Sequence, residues 1–257
     1  MTPVSAFVQA FLWVVGAFFV LYLIGYATFL FLSVSVGASV LNRRKREARY
    51  RSHIARDCYV PVSIIVPAHN EGVTIVESVK SLMMLDYKLY EVIVVDDGSE
   101  DGTPQKVIEA FGLERVDMPI RTVLETQPVR DVWMGMVGDL PLVLVRKENG
   151  GKSDALNVGI NAARYPYFVC IDADSMLQRD SLREIVAPVI EDDTVVAVGG
   201  LVRPANGIKM EGGRVQSYSL PHKIIPAMQV LEYDRSFLSA RILLGSRREM
   251  WCKGDLK

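Results

Sequence analysis

Hydrophobic positions fall into two regimes along this chain. From Ala6 to Leu41 the residues AFVQAFLWVVGAFFVLYLIGYATFLFLSVSVGASVL include no charged side chain. A helix that spans a bilayer needs about 20 apolar residues, so this run is long enough to cross with tilt or to extend past one face. Trp13, Tyr22 and Tyr26 are of the type that settles at a membrane interface. Past Val60 the apolar residues come in short runs instead: Val60–Val66, Glu91–Val95, Leu142–Val145, Tyr167–Ile171 and Val195–Val198. Short β-branched runs without alternation suit strands buried on both faces. Between them, Thr74–Leu85 spaces its apolar residues at helical intervals, and Thr103–Phe111 and Ser153–Arg164 are also expected as helices. Strand and helix in alternation predict an α/β fold with a mostly parallel sheet. Glu114–Gly138 reads as an inserted hairpin or a loop, Pro204–Pro221 as a Gly-, Pro- and Ser-rich loop, and Ile224–Leu244 as an amphipathic helix.

Charge orients the first regime. Arg43, Arg44, Lys45, Arg46, Arg49, Arg51 and Arg56 crowd its C-terminal flank, while Met1–Ser5 carry no charged side chain. The positive-inside rule then puts the N-terminus outside and the rest in the cytoplasm, with the basic residues against lipid headgroups. A cleaved signal peptide fits poorly, because its basic residues precede the apolar run. The expected organisation is a transmembrane anchor over 1–42, a basic linker over 43–59, one domain over 60–245 and an atypical tail over 246–257. Half of the 257 residues are hydrophobic and the formal net charge is −1. That balance excludes a general nucleic-acid binder, which would show a basic domain. Cys58, Cys170 and Cys252 form no CxxC pair, and His53, His69 and His222 are dispersed. Neither a zinc site nor a disulfide framework is implied.

Ligands of an open parallel sheet bind beyond the carboxyl ends of its strands, so the polar residues there are the candidates. The first strand runs into Pro67-Ala68-His69-Asn70-Glu71-Gly72, which is also plain turn chemistry with Asn70 as a helix N-cap. The second ends in Asp96-Asp97-Gly98-Ser99, where carboxylates can accept hydrogen bonds from a base or ribose and where Asp and Gly also simply make turns. Lys147-Glu148-Asn149-Gly150-Gly151-Lys152-Ser153-Asp154 offers open backbone at two glycines and a lysine point charge for phosphate. It lacks the P-loop spacing, and no GxGxxG occurs. The YFVCI run ends in Asp172-Ala173-Asp174. Two carboxylates there can hold one divalent cation through hard oxygens, with Mg2+ or Mn2+ the metals that suit them.

In this order VSIIVPAHNE, VIVVDDGSEDGT, KENGGKSDALNVGI and FVCIDADS resemble the family 2 glycosyltransferases of GT-A (Rossmann-like) fold. The likeness is greatest to processive synthases of hyaluronan, poly-N-acetylglucosamine and cellulose type. It implies a mostly parallel sheet with flanking helices after one transmembrane helix, and a nucleotide-diphosphate sugar, of UDP type, as donor. It implies that Pro67, Ala68 and Glu71 line the nucleotide pocket and that Asp97, beside Asp96, contacts uracil or ribose. Lys152 and Asp154 would lie near the base and diphosphate, Asp172 would contact the donor, and Asp174, with Asp172, would hold the metal. The implied partners are the donor, the bilayer and a growing glycan acceptor. The family's Thr-Glu-Asp base segment and Gln-x-x-Arg-Trp segment have no match, and after Leu244-Gly245 the chain reads SRREMWCKGDLK. The expectation is therefore a truncated chain with its donor half complete and its general base missing. Nothing around Glu249 or Asp255 matches a replacement base. Such a chain is weakly active or inactive alone; the alternative is a catalytically dead nucleotide-sugar-binding membrane module that partners a complete synthase. A nucleotidyltransferase ranks last, since PAHNEGVT carries no basic loop for a triphosphate.

Overall fold

The computed structural model describes residues 3–51, 59–191, 195–200, 208–211, 214–219 and 223–236. They divide into two compact units, one built on the first helix and one on the sheet. Helix α1 (Pro3–Arg51) is unbroken. Its stretch Val8–Ser39, 32 residues of mean hydropathy 2.2, is the one helix among the described residues long and apolar enough to cross a membrane. At about 1.5 Å per residue such a stretch reaches about 48 Å, beyond the roughly 30 Å of a hydrocarbon core. Phe11, Trp13, Phe18, Leu21 and Phe31 are all exposed. The hydroxyls of Thr28, Ser33 and Ser39 each donate to the carbonyl four residues back, at 2.8, 2.7 and 2.7 Å. Those three hydroxyls therefore need no outside partner, as an apolar solvent requires. The backbone stays helical through the basic stretch to Arg51, and residues 52–58 of the expected linker lie outside the described residues.

The second unit alternates as its apolar runs predict. Its elements are β1 (Val62–Ala68), α2 (Ile75–Leu82), β2 (Tyr90–Asp96), α3 (Thr103–Phe111), β3 (Glu114–Val116), β4 (Val129–Val137), β5 (Leu140–Lys147), α4 (Lys152–Ala162), β6 (Tyr167–Cys170) and α5 (Ser181–Glu191). The six strands lie in the order β3-β4-β5-β2-β1-β6. β5, β2, β1 and β6 are mutually parallel, while β3 and β4 add an antiparallel edge. Ile64, Val66, Val92, Val94, Leu142 and Leu144 enter the core on one face, with Val79 and Leu82 of α2, Val107 of α3 and Leu182 of α5. Ile65, Ile93, Val95, Val143 and Val145 enter the other, against Ala155, Val158 and Ala162 of α4. This two-sided burial is why the central strands read as continuous apolar runs. Glu91, fully buried within β2, accepts from Ser63 Oγ at 2.7 Å and from Arg164 N and Nε at 2.9 and 2.7 Å.

Four expectations change. Val195–Val198 is not a strand: among the described residues no ladder pairs it, and Val196 is 98% exposed. A strand is made by its neighbour's hydrogen bonds, which an apolar run alone cannot supply. Pro204–Pro221 is not simply a loop, because β7 (Ile208–Glu211) and β8 (Arg214–Tyr218) pair as an antiparallel hairpin. The signal was present as Gly212-Gly213 between two short runs. Glu114–Gly138 is both of its alternatives, an edge hairpin and a loop over 117–128. α5 matches no expected element; Pro188 interrupts its pattern, yet Leu182 and Val186, four apart, are both buried. Helix α6 (Ile224–Ser236) begins where expected, and 237–244 lie outside the described residues, as does the tail over 246–257 with Glu249 and Asp255.

α4 approaches the sheet most closely at Gly159, where an added Cβ would stand 2.3 Å from Ile65 Cγ2. Gly159→Ala should therefore lower unfolding stability by about 1–3 kcal/mol, the usual cost of overpacking a filled core, even though alanine is the better helix former. Denaturant unfolding of the two proteins checks this; equal midpoints would mean that the helix shifts freely.

Candidate active site

β1 and β2 stop level with each other beside β5, and β6 stops three residues earlier, opposite Ile65. Ala68 pairs with Asp96 and Asp96 with Arg146, while the Ile171 N–H reaches the Ile65 carbonyl at 3.0 Å. The polar segments that follow each strand therefore emerge at one edge. Between them lies a cavity of about 270 Å³. Pro67, Ala68, His69 and Glu71 line it after β1, and Asp97 after β2. Lys152 and Ala155 line it from the start of α4, and Asp172, Ala173 and Asp174 from the turn after β6. All the expected site residues line this one cavity except Asp96 and Asp154.

Asp97 is buried, and protein groups already hold its carboxylate. The Gly150 N–H donates to Oδ1 at 2.9 Å and the Gly151 N–H to Oδ2 at 2.8 Å. The Lys147 ammonium bonds Oδ1 as well. Lys147, with no exposed surface, also donates to the Glu148 carbonyl at 2.5 Å and pairs with Asp154 Oδ2 at 2.6 Å. Burial by itself would raise the Asp97 carboxyl, but the Lys147 bond, the two glycine N–H groups and the lysine charge together hold it below its ordinary value. Asp154 also accepts from the Gln127 N–H at 3.0 Å. Asp97 and Asp154 thus clamp the turn over 148–151 from its two sides. The turn needs its glycine at 151, where φ is +88°. Asp96 sits behind, its carboxyl raised by burial against weaker opposing hydrogen bonds from Ser99.

The β1 turn is tied to the β2 turn. Asn70, at φ +56°, donates its N–H to Ser99 Oγ and accepts from the Glu100 N–H, both at 2.9 Å. It is therefore not a helix N-cap; that position falls to Thr74. Glu71 donates its N–H to Thr103 Oγ1 at 3.0 Å and accepts from the Thr74 hydroxyl at 3.0 Å. His69 Nδ1 lies 2.9 Å from the Asp97 carbonyl, and Asn149 Nδ2 donates to that same carbonyl at 3.1 Å.

Across the cavity Lys152 pairs with Asp172 at 2.5 Å. Asp174 is exposed beside Ser175, whose hydroxyl lies 3.4 Å from Oδ1. Among the described residues no group of three potential metal ligands converges. Asp172 and Asp174 fit Mg2+ or Mn2+ as a two-carboxylate set that leaves most positions to water and phosphate oxygens, the way Mg2+ is usually held. Burial pushes the nearby Cys170 thiol up to about 11, with Lys152 opposing, so it is no nucleophile at neutral pH.

Lys147, His69 and Asn149 received no role from the sequence, although all three stand in the quoted segments. The available signal for Lys147 was a lysine closing the run LVLVRK just before the Gly150-Gly151 turn. Lys147→Met leaves Asp97 and Asp154 without their cation and should cost about 3–5 kcal/mol at pH 7. Because Asp97 titrates below its ordinary 3.8 in the folded state, its contribution is present above that value and is lost as pH falls through the folded pKa. The gap between Lys147→Met and wild type should thus narrow below about pH 4. Chemical unfolding at pH 7 and pH 3 reads both effects; a gap independent of pH would contradict the ion-pair account.

The family model for glycosyl transferase family 2 matches residues 63–127 and 136–241. A poly-β-1,6-N-acetyl-D-glucosamine synthase of Staphylococcus aureus (strain COL) is 27% identical over 192 residues, 72% of this chain and 40% of that one. The glycosyltransferase GlyG of Streptococcus pneumoniae serotype 4 is 28% identical over 138 residues, 54% of this chain and 38% of that one. The chain therefore spans about two fifths of the length of these curated relatives. Among solved structures, the mannosyltransferase PcManGT of Pyrobaculum calidifontis, in complex with GDP-Man and Mn2+, aligns with TM-score 0.41 and 27% identity, covering 63% of this chain and 45% of that one. With the family model matched across most of the sheet unit, the chain belongs to glycosyl transferase family 2.

Proposed function

We propose that this chain carries the donor-binding part of a membrane-anchored, inverting glycosyltransferase that uses a UDP-sugar in polysaccharide synthesis. The observation that carries this reading is the convergence of Glu71, Asp97, Lys152, Asp172 and Asp174 on one cavity at the carboxyl edge of the parallel strands. The synthase relative from Staphylococcus aureus supports the polysaccharide assignment.

In this reading the Pro67–Glu71 turn and the clamped turn over 148–151 shape the nucleotide pocket. Asp97 acts as a positioning residue, since Lys147 and the glycine N–H groups hold both its oxygens. Lys152 supplies a cation for the diphosphate, and Asp172 and Asp174 would hold Mg2+ or Mn2+. When bound, that metal neutralises charge that builds on the diphosphate as it leaves. In the transfer, an acceptor hydroxyl gives its proton to a carboxylate base and attacks the anomeric carbon as the bond to UDP breaks. No residue of this chain is assigned as that base. α1 serves as the anchor, and the basic residues after Leu41 favour a cytoplasmic sheet unit.

Calorimetry of UDP binding to the full chain in detergent, with and without Mn2+, tests the donor assignment. Wild type should bind in a Mn2+-dependent manner, and Asp174→Ala should weaken binding at least about tenfold, the loss of one charged ligand. No binding by folded wild type, or equal binding by the variant, would overturn it.

A further inference from the structure

The segment 114–132 lines none of the donor cleft, yet it borders a larger cavity, of about 700 Å³, that shares no lining residue with that cleft. Small-molecule sites are commonly about 300–1,000 Å³. Three arginines line it from different places: Arg115 on edge strand β3, Arg121 on the loop over 117–128, and Arg130 at the start of β4. At Arg130 the ladder slips, with Val129 opposite Lys147 and Asp131 opposite Arg146. A bulge of this kind bends the strand and re-aims its side chains. All three arginines are exposed, and among the described residues none has an ion-pair partner. Of the two aspartates in the lining, Asp131 is committed to Arg146 at 3.3 Å and to the Trp133 indole N–H at 2.8 Å. Asp117 alone remains to face three guanidinium groups.

The wall is built rather than loose. Met118 and Ile120 pack on the α4-side core. The Asn161 side chain accepts from the Leu124 N–H at 3.0 Å and donates to its carbonyl at 2.8 Å, and Asp154 accepts from the Gln127 N–H. The family model leaves out 128–135, the stretch with the bulge and Arg130, so the common family chemistry does not account for it. Guanidinium forks match phosphate and carboxylate oxygens in pairs, and uncommitted ones around a single cavity attract a polyanion. The geometry points to a second ligand site in this cavity, for a small polyanion bearing phosphate or carboxylate groups, held by Arg115, Arg121 and Arg130 and separate from the donor cleft.

The test is metal-free calorimetry on the full chain in detergent, with EDTA present and with inorganic pyrophosphate and citrate as probes. Wild type should bind at least one of them, and the tighter of the two identifies phosphate or carboxylate as the preferred group. The triple variant Arg115→Gln/Arg121→Gln/Arg130→Gln should lose at least about tenfold in affinity, while the corresponding triple lysine variant retains most of it. Lys152→Gln, which removes the cation of the donor cleft, should leave binding unchanged. Absence of binding by wild type, full binding by the glutamine variant, or loss of binding in Lys152→Gln would each overturn the proposal. If the triple glutamine variant does not fold, Arg130→Gln alone is read by the same criteria. The donor-site test uses UDP with Mn2+ and Asp174→Ala, so either result can fail without the other.

Discussion

A lysine with no exposed surface sits at the end of β5 between the carboxylates of Asp97 and Asp154. Placing three charges where water is scarce is unfavourable unless each finds partners. Here each does. Lys147 takes both carboxylates and the Glu148 carbonyl, Asp97 takes two glycine N–H groups, and Asp154 takes the Gln127 N–H. This cluster links the ends of β2 and β5, the first turn of α4 and the loop before β4. The shape of the turn over 148–151 therefore depends on it, as does the direction in which α4 presents Lys152 to the cavity.

The sheet around the cluster provides the other constraint. Parallel strands running the same way bring chain segments distant in sequence to one edge, and the turns there exchange hydrogen bonds with one another. Asn70 to Ser99 and Glu100, Glu71 to Thr103, and Asn149 to the Asp97 carbonyl are contacts of this kind. Across the cavity from these turns stand Lys152, Asp172 and Asp174. In the proposed reading, the bonded inner turn positions the nucleotide and the charged residues opposite it take the diphosphate.

The antiparallel edge belongs to a different part of the same architecture. β3 and β4 extend the sheet past its parallel core, and the loop between them folds back over α4 through Asn161 and Asp154. Asp154 thus faces the charge cluster on one side and the arginine-lined cavity's loop on the other. The two cavities lie apart yet share this one carboxylate in their supports.

Much of this was legible in the residues. The runs VSIIV, EVIVV and LVLV are strands covered on both faces, with Ser63 and Glu91 bonded to each other inside them, while YFVC pairs along β1 with Tyr167 and Phe168 left exposed. The charge-free stretch from Ala6 to Leu41 is a helix in which the Thr28, Ser33 and Ser39 hydroxyls bond to its own backbone. The order of the four polar segments was enough to indicate the family and to name most of the cavity's lining. Local pattern could not say which carboxylates face outward. Asp96, Asp97 and Asp154 look as available in sequence as Asp174, yet they are buried or bonded inward, because a side chain's partners come from distant segments, as the Gly151 N–H does for Asp97 from 54 residues away. Pairing decided the rest. Among the described residues Val195–Val198 pairs with no strand and is none, while Ile208–Glu211 and Arg214–Tyr218 have each other. Periodicity and composition act within a few residues, but ion pairs, strand ladders and the cavity between turns form only when distant parts of the chain meet.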